Sequence, residues 1–153
     1  MLGKRVYFDS APIIYALENN PRYAAMSLDF TDAAEKRLFF GFTGTLALVE
    51  MLVKPLREQN TALVATIRQL FASGDLFTCL EHSNETWLLS AQLRATHGLK
   101  MADAIHIATA IHNRCAFFLT NDHRLSSLNS VFCQGSTTNS TLEIILLDDL
   151  VLL

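Results

Sequence analysis

Short apolar segments alternate with longer helical segments along most of this chain, and no other feature of the sequence constrains its fold as strongly. Parallel strands need crossover connections of a dozen or more residues, which are usually helices. The alternation therefore predicts an α/β sandwich, in which helices flank a central, mainly parallel sheet of four or five strands. Strands are predicted at residues 4–8, 38–44, 76–80, 116–120 and 142–147, and helices at 11–18, 23–38, 45–55, 58–73, 84–96 and 99–113.

Single residues mark several boundaries and core positions. Thr45 is predicted to cap the third helix, because a threonine hydroxyl accepts a backbone N–H there, and Pro55 is predicted near the end of that helix. Gly74 follows the fourth helix, at the position where a left-handed backbone favours glycine. Six residues are predicted to fill the core: Phe39, Phe40, Met51, Met101, Phe117 and Phe118.

The composition limits what the chain can bind. Its 153 residues are enough for one domain, residues 1–153, that buries roughly two-thirds of its unfolded surface. Half of the residues are hydrophobic, so a core can form without disulfides or a structural metal. The net charge of −3 and the pI of about 5.9 exclude a general attraction for nucleic acid or an anionic membrane. Any binding to phosphate has to be local or carried by bound cations.

The cysteines and apolar runs bear on where the chain works. Cys79, Cys115 and Cys133 stand apart from one another without the spacing of a zinc site, which favours a reduced cytoplasm. No apolar run approaches the roughly 18 residues of a membrane span. The sequence passes from MLGKR straight into the apolar VYF and then Asp9, and this apolar run is too short for a signal peptide. We therefore expect a cytoplasmic protein with no membrane association.

Four acidic residues occupy positions that bring them toward one edge of the predicted sheet. Asp9 directly follows the first strand, and Asp122 comes two residues after the fourth. Asp103 opens a helix, and Glu50 is the only charged residue within 46–53. In a parallel α/β sheet, the carboxyl ends of the strands and the starts of the connecting helices lie at the same edge, where ligands bind.

Each acid also has a purely structural explanation. Asp103 suits the N-cap or first turn of its helix, strand-end aspartates often form Asx turns, and Glu50 could lie on an exposed helix face. Four clustered carboxylates, however, repel one another unless a cation intervenes. Oxygen ligands suit Mg²⁺ or Mn²⁺, which can deprotonate a water and stabilise the attacking and leaving oxygens of a phosphodiester.

Four segments carry a family resemblance: FDSAPIIYALE, TLALVEMLV, GLKMADAIHIATA and FFLTNDHRL. In this order they resemble the motifs of PIN-domain ribonucleases, whose best-known bacterial members are the VapC-like toxins of toxin–antitoxin pairs. The resemblance spans residues 6 to about 125 and implies a parallel sheet, flanked by helices, with an acidic Mg²⁺ site that cleaves RNA. It implies catalytic and metal-binding roles for Asp9, Glu50, Asp103 and Asp122, and supporting roles for Ser10 and Thr120.

Other polar residues lie near the four acids or follow the last strand. Lys100 and Arg124 are candidates for contacts with RNA phosphate, because they are close in sequence to the third and fourth acids, although scattered cations are usually solvated surface. His106 is interpreted as a packed or hydrogen-bonded histidine beside the site rather than as a general base. The pair Asp148–Asp149 follows the last strand but lies outside the motifs, and it is interpreted as a chain-end turn.

The leading hypothesis for function is a Mg²⁺-dependent (or Mn²⁺-dependent) endoribonuclease, the toxin of a toxin–antitoxin system, with RNA as its substrate and an antitoxin as its partner. We also expect a homodimer, from the resemblance and from the abundant apolar helix surface of a small chain. The alternative is a non-hydrolytic RNA-binding or regulatory PIN-like domain that keeps the acidic metal site. A phosphotransfer receiver is disfavoured, because it needs a second acid at the first strand and a lysine after a late strand.

Overall fold

A computed structural model describes residues 2–18, 20–129 and 141–150, so Cys133 lies outside the described residues. The strands are β1 (Arg5–Phe8), β2 (Phe40–Gly44), β3 (Thr78–Leu80), β4 (Phe117–Thr120) and β5 (Glu143–Leu146). The helices are α1 (Ser10–Leu17), α2 (Ala24–Glu35), α3 (Thr45–Arg57), α4 (Thr61–Ser73), α5 (Asn84–His97), α6 (Met101–His112) and α7 (Leu147–Leu150), with a 3-10 helix at His123–Leu128. No helix in these ranges has both the length and the apolar character that a bilayer crossing requires.

The five strands form one parallel sheet in the order β3-β2-β1-β4-β5, which confirms the predicted fold class. The chain builds outward from β1 through β2 to β3, and then crosses back to add β4 and β5 on the other side of β1. The strand order therefore reverses between β1 and β4, and open α/β sheets bind ligands at such a switch point. Phe8 of β1 pairs with Leu119 of β4, so the residues that follow the two strands emerge side by side.

Separate layers of helices cover the two faces of the sheet. Because side chains alternate between faces along a strand, Tyr7 lies on one side with Phe118, and Val6 lies on the other side with Phe8. The Tyr7 side packs against α5 and α6, and the Tyr7 and Phe118 rings stack with centroids 5.4 Å apart. The Phe8 side packs against α1 to α4, where Phe30 meets Phe8 edge-on at 6.0 Å. The sheet is therefore buried on both faces, as is usual for parallel sheets.

The ends of α3 differ from the prediction. Gly44, not Thr45, is the N-cap residue, and Pro55 lies inside the helix, which continues to Arg57. A proline removes one backbone donor from a helix. Here it comes close to the end, where Glu58 donates its backbone N–H back into the last turn. The last turn therefore forms in spite of the proline.

The fourth helix begins later than predicted because an asparagine caps it. Asn60 accepts a hydrogen bond of 3.0 Å from the backbone of Leu63, and α4 starts at Thr61 instead of residue 58. Asparagine is among the preferred N-cap residues for this reason. At the other end, Gly74 adopts a φ of +69°, which confirms its predicted role after the helix.

Two residues predicted for the core are exposed. Phe40 is 52% exposed at the amino end of β2, whereas its neighbour Phe39 is buried, since adjacent residues of extended backbone face opposite ways. Met101 is 61% exposed because it precedes the stretch of α6, residues 104–111, that is buried on all sides. The remaining predicted residues are buried or partly buried in the core: Phe39, Met51, Phe117 and Phe118.

We predict that Phe118→Ala lowers the free energy of unfolding by about 3–5 kcal/mol, the usual consequence of removing a buried phenyl ring. Phe118 is fully buried and stacks on Tyr7, so the truncation leaves a cavity. Phe40→Ala removes the same ring from an exposed strand position and should cost no more than about 1 kcal/mol. Urea denaturation of both variants and the parent chain measures the difference, and equal losses would contradict this assignment of the core.

Candidate active site

Asp9 is held by both of its carboxylate oxygens at the switch point between β1 and β4. It is the N-cap of α1, where its Oδ1 accepts a hydrogen bond of 2.8 Å from the backbone of Ser10. Its Oδ2 accepts a hydrogen bond of 2.7 Å from the Thr120 hydroxyl at the end of β4. The structural explanation for Asp9 and its predicted place in a site are therefore compatible. The contacts that cap the helix also orient the carboxylate at the sheet edge.

Glu50 and Asp9 meet at a buried histidine. The Oε2 atom of Glu50, on α3, is 3.0 Å from Nε2 of His106, and the same nitrogen is 3.8 Å from Asp9 Oδ1. The other ring nitrogen of His106, Nδ1, is 2.9 Å from the hydroxyl of Tyr7. An ionised carboxylate can only accept, so Nε2 donates to Glu50, and Nδ1 is the ring atom that meets the Tyr7 hydroxyl. His106 is thus a hydrogen-bonded histidine beside these acids, and Glu50 does not lie on a freely exposed face.

Burial and hydrogen bonding decide the protonation of the two groups that His106 joins. Burial acts to raise the pKa of Glu50, but the hydrogen bond and charge of His106, with a hydrogen bond from Ser10, outweigh it and leave that pKa lowered. Burial, followed by the charge of Asp9, raises the pKa of Tyr7 well above its ordinary value. At neutral pH Glu50 is therefore ionised and accepts, whereas Tyr7 keeps its proton.

Asp122 is paired with an arginine two residues further along. It is the N-cap of the 3-10 helix, and its Oδ1 accepts from the backbone N and the Nε of Arg124 at 3.0 and 2.8 Å. The Arg124 Nη2 contacts the other carboxylate oxygen. The side-chain hydrogen bond from Arg124 is the main cause of a lowered pKa at Asp122. The Asp122 backbone also donates to the Thr120 hydroxyl at 3.1 Å, and that hydroxyl donates to Asp9.

Asp103 lies in the first turn of α6, in the field of the other acids. Its helix has Lys100 as the N-cap residue, and within the described residues that side chain makes no capping hydrogen bond. Asp103 is therefore a first-turn residue and not the cap. Burial raises the pKa of Asp103, and the charges of Asp122 and Asp9 raise it further. The nearest cation is the Arg124 Nη2, which is 3.9 Å from Asp103 Oδ2.

The structure thus brings the four predicted acids together as two groups that Thr120 connects. Asp9 and Glu50 meet at His106, whereas Asp122 and Asp103 lie around the guanidinium of Arg124. Repulsion within each group is reduced by a different partner, an imidazole in the first and a guanidinium in the second.

The first group fits a divalent cation. Asp9 and Glu50 each offer one carboxylate oxygen, and these two oxygens and a ring nitrogen of His106 lie within 4.8 Å of one another. Two carboxylates of this kind are the hard oxygen donors that Mg²⁺ and Mn²⁺ prefer. Asp103 and Asp122 lie outside that group of atoms, and Asp122 is engaged by Arg124.

The structure also locates the other residues that the sequence analysis named. Ser10 begins α1, and its side chain hydrogen-bonds Glu50. Lys100 and Arg124 are both exposed at the same edge, and their contacts with RNA stay a prediction. The interpretation of Asp148–Asp149 as a chain-end turn was wrong. Both residues belong to α7, and Asp148 contacts residues that are distant in the sequence.

Sequence reasoning missed Tyr7 and the contacts of Asp148. A signal for Tyr7 was available, because a residue two positions before Asp9 lies on the same side of an extended strand. Asp148 carried no comparable signal, since its hydrogen bond with Tyr23 joins residues 125 positions apart.

The family of the chain is decided by its match to a known domain. A sequence model of the PIN domain matches residues 6–130, which is well over half of the chain. The chain belongs to the PIN-domain family. The match includes all four acids of the site and ends before α7. No match was found among curated protein sequences.

Several solved structures have a fold similar to that of this chain. VapBC2 from Rickettsia felis, bound to a DNA fragment from its promoter, has a TM-score of 0.67 at 13% identity, covering 92% of this chain and 98% of that chain. A toxin–antitoxin complex from Klebsiella pneumoniae has a TM-score of 0.58 at 22% identity, and the match covers 76% of this chain and 86% of that chain. VapBC-5 from Mycobacterium tuberculosis is a member of the VapBC family of toxin–antitoxin systems. It has a TM-score of 0.56 at 19% identity, and the match covers 93% of this chain and 98% of that chain. At these identities the likeness shows the fold.

We predict that Asp103→Asn makes the metal-free PIN domain more stable at pH 7. Because the folded-state pKa of Asp103 lies above its unfolded value, the ionised carboxylate destabilises the fold. This penalty is complete above the folded pKa and disappears as the pH falls to the ordinary value for aspartate. The advantage of the variant over the parent should therefore shrink toward about pH 4.

Denaturant titrations in EDTA at both pH values measure this difference. Asp29→Asn is the matched control, because Asp29 is an exposed aspartate of α2, and it should give no gain at either pH. A parent chain that is more stable than Asp103→Asn at pH 7 would show that Asp103 stabilises the fold instead.

Proposed function

We propose that this PIN domain is a Mg²⁺- or Mn²⁺-dependent endoribonuclease that hydrolyses RNA phosphodiester bonds in the cytoplasm. The observation that carries the proposal is the oriented pair of carboxylates at the switch point, Asp9 and Glu50, whose ligand atoms lie within 4.8 Å of each other and of His106. Both oxygens of Asp9 accept hydrogen bonds from neighbouring elements. A carboxylate that is already held loses little freedom when it binds a cation, which favours a preorganised site.

The chain's own residues would then divide the work. Thr120 orients Asp9, and Ser10 and His106 orient Glu50 through their hydrogen bonds. When bound, Mg²⁺ or Mn²⁺ would activate a water and stabilise charge on the phosphodiester oxygens. The residues proposed to hold it, and to act in catalysis, are Asp9, Glu50, Asp103 and Asp122.

Two cations beside the acids are proposed to contact RNA phosphate. The Arg124 side chain is 61% exposed even though it pairs with Asp122, so its guanidinium remains accessible from solvent. Lys100 is exposed one turn before the third acid. Because the whole chain carries a net charge of −3, RNA has to be attracted locally, by these side chains and by the bound cation.

A toxin role with an antitoxin partner is supported by what the similar PIN-fold structures contain. The structure from Klebsiella pneumoniae is a toxin–antitoxin complex, and the one from Mycobacterium tuberculosis belongs to a family of toxin–antitoxin systems. We extend that role to this chain, and we expect the antitoxin to cover part of the acidic edge of the sheet. Co-expression with the product of a neighbouring reading frame should abolish RNA cleavage by this chain.

A homodimer is part of the same proposal, and its support is an apolar stripe on α3. Val49, Val53 and Leu56 are 60%, 49% and 59% exposed, and their spacing puts them on one helix face. Contiguous exposed apolar surface of this kind is typical of protein interfaces. The stripe therefore offers a surface for a second copy of the chain.

Light scattering at micromolar concentration should give twice the chain mass of 17.1 kDa. Val53→Lys should shift the protein toward the monomer, because it places a charge inside an apolar contact. Thr66→Lys adds the same charge at an exposed position of α4 and should leave the dimer intact. A monomeric parent would refute the homodimer and leave the nuclease proposal unaffected.

The sharpest test of the nuclease proposal is Asp103→Asn. The change removes a negative ligand while it keeps the shape of the side chain, and RNA cleavage should fall by at least about 100-fold. Losses of that size are typical when one group that stabilises transition-state charge is removed. The assay uses mixed-sequence single-stranded RNA with Mg²⁺ or Mn²⁺, and EDTA should abolish cleavage by the parent. Asp29→Asn should cleave as the parent does.

The possible results separate the hypotheses. If Asp103→Asn cleaves RNA at the parental rate, the role assigned to Asp103 is wrong. Cleavage that persists in EDTA contradicts the dependence on a metal. RNA that is bound but not cleaved with either ion favours the non-hydrolytic RNA-binding alternative.

A further inference from the structure

A carboxylate outside the PIN match reaches both residues that flank the fourth acid. Asp148 lies in α7, beyond residues 6–130, and contacts His123 directly and Asn121 through Tyr23. We propose that Asp148 is a positioning residue, which fixes the segment that carries Asp122 and so the metal affinity of the site. The inference about affinity rests on the proposed function, whereas the inference about the segment does not.

One contact fixes the segment on the carboxyl side of Asp122. The Nε2 atom of His123 is 2.9 Å from Asp148 Oδ2. His123 also begins the 3-10 helix that Asp122 caps, so the contact with Asp148 anchors the start of that helix. The His123 side chain is exposed, and an exposed polar contact of this kind contributes little by itself.

A second, more shielded contact fixes the other side. The Tyr23 hydroxyl donates to Asp148 Oδ1 at 2.7 Å, and Asn121 Nδ2 donates to the Tyr23 oxygen at 3.1 Å. Because a hydroxyl has one hydrogen and Asp148 receives it, the Tyr23 oxygen must accept from the amide nitrogen of Asn121. Asp148 thus determines which way the Asn121 amide points. Tyr23 is only 5% exposed, so water competes poorly for this contact.

The Asn121 side chain is held in an unfavourable orientation, which also indicates that its amide is constrained. Its Oδ1 atom is buried and has no hydrogen-bond partner within the part of the chain that the structure describes. A buried acceptor without a partner is unfavourable, and an unconstrained amide would turn to avoid it. The amide is held by its nitrogen, through Tyr23, and its orientation is therefore set by Asp148.

Asp148 is well suited to hold several donors at once. Arg22 adds a third contact, its Nη2 at 2.9 Å from Asp148 Oδ1, beside those from Tyr23 and His123. The hydrogen bond from Tyr23, followed by that from His123, lowers the pKa of Asp148 and keeps it an acceptor. A carboxylate can accept from Tyr23 and His123 on separate oxygens while it pairs with Arg22, whereas a carboxamide has only one acceptor oxygen.

The test compares Asp148→Asn with Asp149→Asn, two identical changes on neighbouring residues of α7, of which Asp149 is exposed. Amide hydrogen exchange is measured on the full chain without metal. The backbone amides of Asp122 and Arg124 should exchange at least about tenfold faster in Asp148→Asn than in Asp149→Asn, because local opening becomes easier. Exchange in β1 and in the paired part of β4 should stay the same in both variants.

The second measurement is Mn²⁺ binding by calorimetry, with the metal alone as the probe. Asp148→Asn should weaken binding by about tenfold or more, as is typical when a residue that orients a metal ligand is lost. Asp149→Asn should bind within about twofold of the parent. Tyr23→Phe removes the hydroxyl of the same chain of contacts, so combining it with Asp148→Asn should weaken binding no further than the stronger single variant does.

Faster exchange spread evenly over the whole sheet would mean that Asp148 only stabilises the fold, and would overturn the proposal. So would local acceleration at Asp122 with unchanged Mn²⁺ affinity. A parent chain that binds no Mn²⁺ and cleaves no RNA would overturn the proposed function, and with it the effect on affinity. The exchange comparison would still decide whether Asp148 positions the segment.

Discussion

The pairing of β1 with β4 is the contact on which the rest of this structure depends. It joins the two halves of the sheet, and its register places Asp9 beside Thr120 where both strands end. The Thr120 hydroxyl donates to Asp9 and accepts from the backbone of Asp122, so a single side chain sets the relative position of the first and fourth acids. A shift of one residue in this register would turn the apolar side chains of β4 to the wrong faces as well as separate the acids.

The acids of the site are stabilised in three different ways. Glu50 has a buried histidine as its donor, Asp122 has a guanidinium at close range, and Asp9 has hydrogen bonds from a helix start and a threonine. Asp103 has no comparable partner among the described residues, and burial together with the charges of Asp122 and Asp9 raises its pKa. Asp103 is therefore the acid whose charge the fold compensates least, and it is the position where a bound cation would change the electrostatics most.

The sequence predicted those features that follow from repeating geometry. Periodicity located all five strands and six of the helices, and the rule that parallel strands end at one edge was enough to bring Asp9 and Asp122 together. It failed where an outcome depends on which distant residue arrives as a neighbour. Asp148 meets Tyr23, for example, across most of the chain. No local sequence pattern predicts contacts between residues so far apart in the chain.

The order of the strands also determines when the acidic edge can form during synthesis. Asp9 and Thr120 are 111 positions apart, so a ribosome completes β1, β2 and β3 long before it reaches β4. Until then β1 has only one of its two neighbours, and Asp9 lacks the hydroxyl that orients one of its oxygens. Contacts between such distant residues form late, because a long stretch of chain has to be ordered first. A partly synthesised chain is therefore left with isolated acids, and the complete cluster assembles only after β4 and the segment that follows it have been synthesised.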